Sequence, residues 1–328
     1  MRKVIWVSFL MMVLVFSFVA CSNDNNNANK DPEESQSKNT DGKTNEQATD
    51  SKKGGGENEG GDSAYNPPSM DDLDPKNPMT EYITYGQKVF HETDTVLDGY
   101  IGNQLSCSSC HADAGLAKSS SMVGVTTQFP QYRPREGVVY TLEDRVNGCM
   151  VRSMNGKKLP NDSKEMRAMI SYLTYISEGI EVGTELPWRM QNTMKEIPLP
   201  KIEDGERLYS EKGCVACHGQ NGEGKGATVG PALWGENSFN DGAGMGRLSK
   251  IAGYIQNNMP PNGGTLTDPE AANLAAFILS QDRPVWEGHD KDWPNGGRPT
   301  DIITKERREK IRAGTFDWSE IDNVIQPD

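Results

Sequence analysis

Basic residues and histidine are scarce in this chain of 328 residues. Lys and Arg number 34 against 47 Asp and Glu, which gives a formal net charge of -13, and there are only 4 His. Proteins that bind nucleic acid carry a surplus of Lys and Arg to neutralise phosphates, so this charge balance excludes that class. Only 34% of the residues are hydrophobic, and few segments alternate as strands do. The sequence therefore predicts a mostly α fold with a core of modest size.

Long apolar runs are also scarce, and the one that stands out spans residues 4–20. It follows two basic residues and directly precedes Cys21, as in a secretory signal, and it is slightly short for a membrane span. Residues 18–21 resemble a bacterial lipobox, in which the Cys receives a diacylglyceryl group, so we interpret residues 1–21 as a lipoprotein signal peptide. The alternative is an uncleaved anchor helix. Both interpretations predict an extracytoplasmic protein anchored to the bacterial cell membrane.

The segment after the signal peptide, residues 22–74, is strongly acidic and poor in apolar residues. It carries 13 acidic residues and five lysines, and Tyr65 is its one aromatic residue. Such a segment cannot bury enough apolar surface to offset the entropy lost on ordering. We therefore predict a disordered acidic tether.

Cysteine occurs only six times, and its spacing argues against a disulfide framework. Residues 107–111 and 214–218 are two copies of C-x-x-C-H, the attachment motif of c-type haem. The two thiols form thioethers with the haem vinyl groups, and the adjacent His binds the iron as proximal ligand. A zinc site would need a second pair of ligands near each motif. The sequence predicts two covalently bound haem c groups, held by Cys107, Cys110, His111, Cys214, Cys217 and His218.

Two similar segments precede the haem motifs and indicate an internal repeat. Residues 86–90 and 205–209 each place a Gly and an aromatic residue on a predicted helix. Another helix follows each motif, one with a capping box at Asp162 and Glu165 and one capped by Thr267. We therefore predict two tandem cytochrome c-like helical domains, residues 75–196 and 197–283. A tail, residues 284–328, wraps the surface and contains one short helix at 305–312.

A haem iron with a proximal His has a sixth coordination position. In the second domain Met259 stands before two prolines, as in the Met-Pro loop of small cytochromes c, and a His/Met pair suits electron transfer. Packing in the core is the alternative role for this Met, and Met245 is the second candidate ligand. The remaining histidines, His91 and His289, lie among acidic residues and are predicted to be surface residues.

The first domain has no Met-Pro loop after its haem motif. Residues 129–135 (FPQYRPR), 142–149 (LEDRVNGC) and 152–156 (RSMNG) instead resemble the dihaem thiosulfate dehydrogenase family, with a SoxA-like first domain whose haem is Cys-ligated. The resemblance implies that Cys149 is the distal ligand opposite His111. Members of that family can carry a Lys before the distal Met of the second haem. Here that residue is Asn258, which favours a fixed pair of His218 and Met259.

The resemblance implies oxidation of two thiosulfates to tetrathionate, or the reverse, with electrons passed to a soluble or membrane-bound acceptor such as another cytochrome. A ligating thiolate lowers the haem potential and is a soft nucleophile. Residues 129–158 carry six basic and three acidic residues, which suits a small dianion, although an ordinary solvated face is the alternative. The candidate catalytic residues are Cys149, Arg133, Arg145, Arg152 and Ser153. The alternative function is a non-catalytic dihaem electron carrier of a membrane respiratory chain.

Overall fold

Helices dominate the protein in the computed structural model, which describes residues 65–326 apart from residues 119, 190–191 and 262–265. The predicted signal peptide, Cys21 and residues 22–64 of the predicted tether lie outside the described residues. The helices are α1 Met79–His91, α2 Thr93–Val96, α3 Leu142–Arg152, α4 Lys164–Tyr175, α5 Ile202–Glu211, α6 Cys214–His218, α7 Leu248–Asn258, α8 Asp268–Ser280 and α9 Lys305–Arg312. The strands are β1 Gln131–Arg133, β2 Val138–Tyr140, β3 Ile197–Pro198 and β4 Val324–Ile325. Within the described ranges, no helix is both long and apolar enough to cross a membrane.

Each half of the protein is built on two helices that meet closely at a glycine. A Cβ added to Gly86 of α1 would lie 2.0 Å from the backbone oxygen of Ala168 in α4. A Cβ added to Gly205 of α5 would lie 2.2 Å from the backbone oxygen of Asn273 in α8. Only glycine permits such a close approach, so both helix pairs depend on it.

Aromatic residues continue the same repeat one turn after each glycine. The rings of Phe90 and Tyr172 have centroids 6.0 Å apart, and those of Tyr209 and Phe277 have centroids 5.8 Å apart. Tilted aromatic pairs of this kind add to the stability that burial supplies. The two segments with a glycine and an aromatic residue, 86–90 and 205–209, therefore make equivalent helix contacts in the two halves.

Side-chain caps define where the closing helices begin. Thr267 caps α8, as predicted, and it also forms a capping box with Glu270, which was not predicted. Helix α4 begins one residue later than its pattern indicates, because Ser163 rather than Asp162 accepts a hydrogen bond from the backbone N–H of Met166.

The strands are short and serve to connect segments rather than to build a sheet core. Strands β1 and β2 form an antiparallel hairpin in which Gln131 pairs with Tyr140. Strands β3 and β4 are parallel, and Ile197 pairs with Val324. This second pairing joins the segment between the predicted domains to the end of the C-terminal tail.

One hydrophobic cluster extends through both predicted domains. It contains Val89 and Met150 from the first, Leu208 and Leu274 from the second, and Ile311 from the tail. The described residues from 65 onward accordingly belong to one compact unit. The mostly α fold class is confirmed, and its two cytochrome c-like halves share a core.

The folded region begins before the predicted end of the tether at residue 74. The ring of Tyr65 packs edge-on against Trp188 with centroids 5.2 Å apart, and its hydroxyl lies 3.0 Å from Ser121 Oγ. The hydroxyl of Tyr175 donates to the backbone oxygen of Ser69 at 2.5 Å. Residues 65–74 therefore pack on the first half, because its surface offers partners that a local sequence pattern does not reveal.

Candidate haem sites

The histidine of the first C-x-x-C-H motif is held in the form that binds a metal. His111 Nδ1 donates to the backbone oxygen of Ser120 at 2.6 Å, which leaves Nε2 available for iron. Burial lowers the pKa of His111 to about 4. The guanidinium groups of Arg145 and Arg189 act in the same direction, against the hydrogen bond to Ser120. The imidazole is therefore neutral at physiological pH, as a metal ligand must be.

The two cysteines of this motif lie near Cys149. Burial raises the pKa of Cys107 to about 12, and Thr93 opposes that shift through a hydrogen bond. Burial also raises the pKa of Cys110 to about 12, and a charge on Cys149 would raise the pKa of both thiols further. The fold thus brings together three thiols, of which the first two are predicted to become thioethers.

The third thiol, that of Cys149, is paired with an arginine on the same helix. Arg145 and Cys149 are four residues apart on α3, and Arg145 Nη1 donates to Cys149 Sγ at 2.7 Å. The charge on Cys149 raises the pKa of Arg145, despite burial. Among the described residues, no carboxylate lies within 4.0 Å of Arg145. Its permanent positive charge is therefore directed at the sulfur.

These groups line one cavity of ≈ 570 Å³, which we call the haem-1 pocket. Cys110, His111, Cys149 and Ser153 are all part of its lining. This volume is in the usual range for a cofactor or small-molecule site. The donor set fits a c-type haem, since it combines attachment thiols, a neutral imidazole and a further sulfur. The basic residues that line the pocket are Arg133, Arg135, Arg145, Arg152, Arg189, Arg247 and Lys250.

Two of the predicted substrate-binding arginines share one carboxylate. Arg152 Nη2 donates to Glu136 Oε1 at 2.9 Å, and Arg133 Nε lies 4.0 Å from Glu136 Oε2. Burial lowers the pKa of both arginines, and neighbouring guanidinium groups lower it further. This is a partly buried ion cluster rather than a solvated face. Ser153 follows α3 directly, and its backbone oxygen accepts a hydrogen bond from Asn103 Nδ2 at 2.8 Å.

The second C-x-x-C-H motif forms helix α6 and opens into an apolar pocket. His218 Nδ1 donates to the backbone oxygen of Pro231 at 2.8 Å, and burial lowers the pKa of this imidazole. A Cβ on Gly230 would lie 2.2 Å from the backbone oxygen of Cys217, so the loop can approach the motif only with glycine there. This haem-2 pocket also fits a c-type haem, and its lining includes Cys214, Cys217, His218, Met245, Met259, Leu266 and Leu274.

Both candidate distal methionines of the second haem line the haem-2 pocket. Met259 directly follows α7, and Met245 lines the haem-1 pocket as well. Asn258 Nδ2 donates to the backbone oxygen of Tyr254 at 3.0 Å and to Asn192 Oδ1 at 3.0 Å. The amide that replaces the lysine of some family members is therefore tied to its own helix and to the interdomain segment.

The two pockets adjoin each other. Cys110 lines both, and Leu105 and Ser109 of the first half form part of the haem-2 pocket. Ser109 Oγ also donates to the backbone oxygen of Ala227 at 2.7 Å, across the boundary between the halves. The attachment point of one predicted haem is therefore a wall of the other site.

The C-terminal tail, to which the sequence analysis assigned no chemistry, forms part of the haem-1 pocket. Asp292 pairs with Arg135 at 2.7 Å, and the Arg135 guanidinium lies 4.8 Å from the ring centroid of Trp293. Trp293, Gly297 and Pro299 line the pocket. Three further basic residues of the pocket come from outside residues 129–158 and were not predicted, because no local motif marks them: Arg189, Arg247 and Lys250.

The two other histidines do not line either pocket. His91 is exposed at the end of α1, as predicted. His289 is half-buried rather than a simple surface residue, because its Nε2 lies 2.8 Å from Oδ1 of the buried Asp241. Arg308 also pairs with Asp241, at 3.0 Å. His289 thus helps to join the tail to the second half.

Two protein families match successive parts of the chain. The family described as SoxA/TsdA, cytochrome c domain matches residues 99–182. The family described as cytochrome C oxidase, cbb3-type, subunit III matches residues 200–278.

Individual relatives and a solved structure identify the family of the whole folded region. The thiosulfate dehydrogenase of Psychrobacter arcticus is 37% identical over 226 residues, which are 67% of this chain and 69% of the relative. That of Allochromatium vinosum is 36% identical, over 65% of this chain and 82% of the relative. The solved thiosulfate dehydrogenase (TsdBA) of Marichromatium purpuratum is similar with a TM-score of 0.63 and 32% identity, over 68% of this chain and 50% of that one. The chain therefore belongs to the thiosulfate dehydrogenase family and carries two covalent haem c groups.

Proposed function

We propose that this protein joins two thiosulfates into tetrathionate in the haem-1 pocket and delivers the two electrons to an external acceptor. A new S–S bond forms between the outer sulfurs, and no proton is consumed or released. The haem groups supply the one-electron redox chemistry that amino-acid side chains lack. Curated relatives named thiosulfate dehydrogenase support the substrate.

The observation that carries this proposal is the contact between Arg145 and Cys149. A thiolate that accepts a hydrogen bond from a buried guanidinium is a defined sulfur nucleophile and a possible iron ligand. A pure electron carrier has no need for such a group in a polar cavity. We assign Cys149 as the distal ligand opposite His111, and Arg145 as the residue that fixes the position and charge of its sulfur.

The basic lining of the haem-1 pocket addresses the main electrostatic barrier of the reaction. Two thiosulfate dianions repel each other as they approach, and fixed positive charges in a partly desolvated pocket offset that repulsion. Arg133 and Arg152 are held in place by Glu136, which offsets only one of their two charges. We assign these arginines and Ser153 to substrate binding.

The haem-2 pocket suits the exit of electrons. Its lining is largely apolar, and it adjoins the haem-1 pocket through Cys110 and Met245. A haem held by a His and a Met would have a raised potential, which would suit it to receive electrons. We assign His218 and Met259 as its ligands and another cytochrome as the external acceptor.

The location of the enzyme follows from residues outside the described region. The signal-like run before Cys21 supports an extracytoplasmic protein held to the cell membrane by a lipid on that cysteine. Mass spectrometry of the mature protein should show an N-terminal Cys21 with acyl chains, and Cys21→Ala should lack them. An unmodified wild-type N-terminus would rule out the lipid anchor on Cys21.

The enzymatic proposal is tested by the stoichiometry of the purified dihaem protein. Thiosulfate and an artificial one-electron acceptor should yield one tetrathionate for every two thiosulfates consumed and every two acceptor molecules reduced. Ascorbate, which delivers electrons without sulfur chemistry, serves as the control donor. If ascorbate reduces both haem groups but thiosulfate reduces neither, the protein is an electron carrier and not this enzyme.

A further inference from the structure

Two basic residues of the haem-1 pocket stand apart from the others because they lack an anionic partner. Of the described residues, no carboxylate lies within 4.0 Å of Arg189 or Lys250. The remaining basic groups each face a negatively charged side chain or the Cys149 sulfur: Arg133 and Arg152 with Glu136, Arg135 with Asp292, Arg247 with Asp301, and Arg145 with Cys149.

Arg189 is held firmly at the pocket wall. It ends the short helical turn Pro187–Arg189, whose Trp188 is buried and donates from Nε1 to the backbone oxygen of Val123 at 3.1 Å. The Nη1 atom of Arg189 is buried and has no hydrogen-bond partner among the described residues. Burial, together with the charge of Arg145, lowers the pKa of Arg189 to about 10. Because an unpaired buried donor costs free energy, this geometry calls for an acceptor.

Lys250 reaches the same pocket from the other half of the molecule. It is the third residue of α7, and its Nζ donates to Thr193 Oγ1. Burial lowers the pKa of Lys250, and Arg247 acts in the same direction. Its only hydrogen bond that we observe is to a neutral hydroxyl, so its charge is still available to an anion.

We propose that Arg189 and Lys250 form a second oxyanion site in the haem-1 pocket, separate from the cluster of Arg133, Arg152 and Glu136. The ligand chemistry is a carboxylate or sulfonate oxygen, which both side chains bind well. Such a group has two possible sources. One is a propionate of the haem that Cys107 and Cys110 hold, and the other is the sulfonate of a second thiosulfate.

The position of Arg189 is compatible with either source. Its charge acts on His111 and on Arg145, which lie at the proximal ligand and beside Cys149, respectively. Arg189 also lines the same pocket as His111 and Cys149, the two predicted iron ligands. The sulfonate source rests on the proposed function, since tetrathionate carries a sulfonate at each end and requires two separated sites. The propionate source does not depend on the substrate.

The test compares Arg189→Gln and Lys250→Gln with wild type as purified ferric dihaem proteins. Arg189→Lys retains the charge, and Arg207→Gln makes the same chemical change at an exposed residue of α5. Two quantities are measured: the Kd of thiosulfate by calorimetry, and the potential and propionate vibrations of haem 1 in buffer without thiosulfate.

If the site binds the sulfonate, both Gln variants should raise the Kd of thiosulfate about tenfold or more, with the propionate bands of haem 1 unchanged. If it binds a propionate, those bands should shift without thiosulfate present, and the Kd should change less than about twofold. The potential of haem 1 should fall in either case, because a nearby positive charge is lost. Arg189→Lys should lie between wild type and Arg189→Gln, and Arg207→Gln should match wild type. Gln variants that keep both haem groups and change neither the Kd nor the propionate bands overturn the site. Turnover is not a readout, so failure of the proposed enzymatic function would be seen separately.

Discussion

The two haem pockets rest on similar helix pairs and similar C-x-x-C-H motifs, yet their linings differ in kind. The haem-2 pocket is lined mostly by aliphatic, aromatic and methionine side chains, with Lys212 as its one basic lining residue among those described. The haem-1 pocket is lined by seven basic residues and by Cys149, in addition to the attachment residue Cys110. The shared helical frame thus determines where a haem attaches, and the lining determines whether an anionic substrate can reach it.

Replacement of Cys149 should have the largest effect on this comparison, because it removes a cysteine outside the C-x-x-C-H motifs, which the described lining of the haem-2 pocket does not contain. Cys149→Ala should lower thiosulfate turnover by on the order of 10³-fold or more, the scale at which loss of a catalytic nucleophile is felt. The low-spin thiolate signal of ferric haem 1 should disappear in electron paramagnetic resonance. Both haem groups should stay attached, since the thioethers need only the C-x-x-C-H cysteines.

A matched control for this variant is Cys149→Met, which keeps a sulfur ligand but removes the thiolate. It should retain six-coordinate iron with a raised potential and still be inactive if the thiolate is needed for more than ligation. Normal tetrathionate formation by Cys149→Ala would show that haem 1 differs from haem 2 without using this cysteine.

Replacement of Met259 should affect the second pocket alone. Met259→Leu should abolish the sulfur-to-iron charge-transfer band of ferric haem 2 and lower its potential, because methionine ligation raises a haem potential. Turnover should fall through slower electron exit, while the Kd of thiosulfate stays unchanged. Loss of the band in Met245→Leu instead would assign the ligand to the other methionine, which lies between the two pockets.

Because the two helix pairs are built alike, we predict that replacing either contact glycine destabilises the protein to the same extent. Gly86→Ala and Gly205→Ala should each destabilise the protein by about 2 kcal/mol, because the new methyl group meets a backbone oxygen that cannot move aside. Thermal unfolding of the holoprotein measures the effect. Glu206→Ala is the control, since it introduces an alanine at an exposed position of α5. A neutral effect at only one of the two glycines would show that the halves are not equivalent.

The smallest effect is expected at Asp241, where the second half contacts the tail. Burial alone would raise the pKa of Asp241, but hydrogen bonds from His289 and the Trp286 backbone N–H, with the charge of Arg308, lower it below the ordinary value. The ionised carboxylate therefore stabilises the fold above the pKa of an unfolded Asp. That contribution is lost as the pH falls through the lower folded pKa.

This junction is tested by comparing Asp241→Asn with wild type in denaturant unfolding between pH 7 and pH 2. Wild type should be more stable at neutral pH by about 1.5 kcal/mol, the lower end of the range for hydrogen bonds to a charged group. The difference should shrink as the pH falls. A difference that stays constant across this range would mean that the charge of Asp241 does not stabilise the tail.

Local sequence patterns predicted much of the fold and of the haem attachment. The Thr267 cap and the tail helix at 305–312 were predictable because a cap or an amphipathic turn depends on neighbours within four residues. The start of α4 shows the limit of such patterns. Asp162 and Ser163 are both residue types that cap helices, and only the structure shows that Ser163 is the cap. The role of Cys149 as an iron ligand stays a prediction, although the structure brings it to His111 and Arg145.

By itself, the sequence determined that this protein is mostly helical, that it holds two covalent haem groups and that one half carries an extra cysteine among arginines. Those properties reside in short motifs, whose chemistry is set by bonded spacing. Only the tertiary structure decided that Arg189, Lys250 and Trp293 meet at the haem-1 pocket and that Cys110 borders both pockets. These residues lie far apart in the chain, and they come together because the shared core and the returning tail bury apolar surface that no local segment can bury alone.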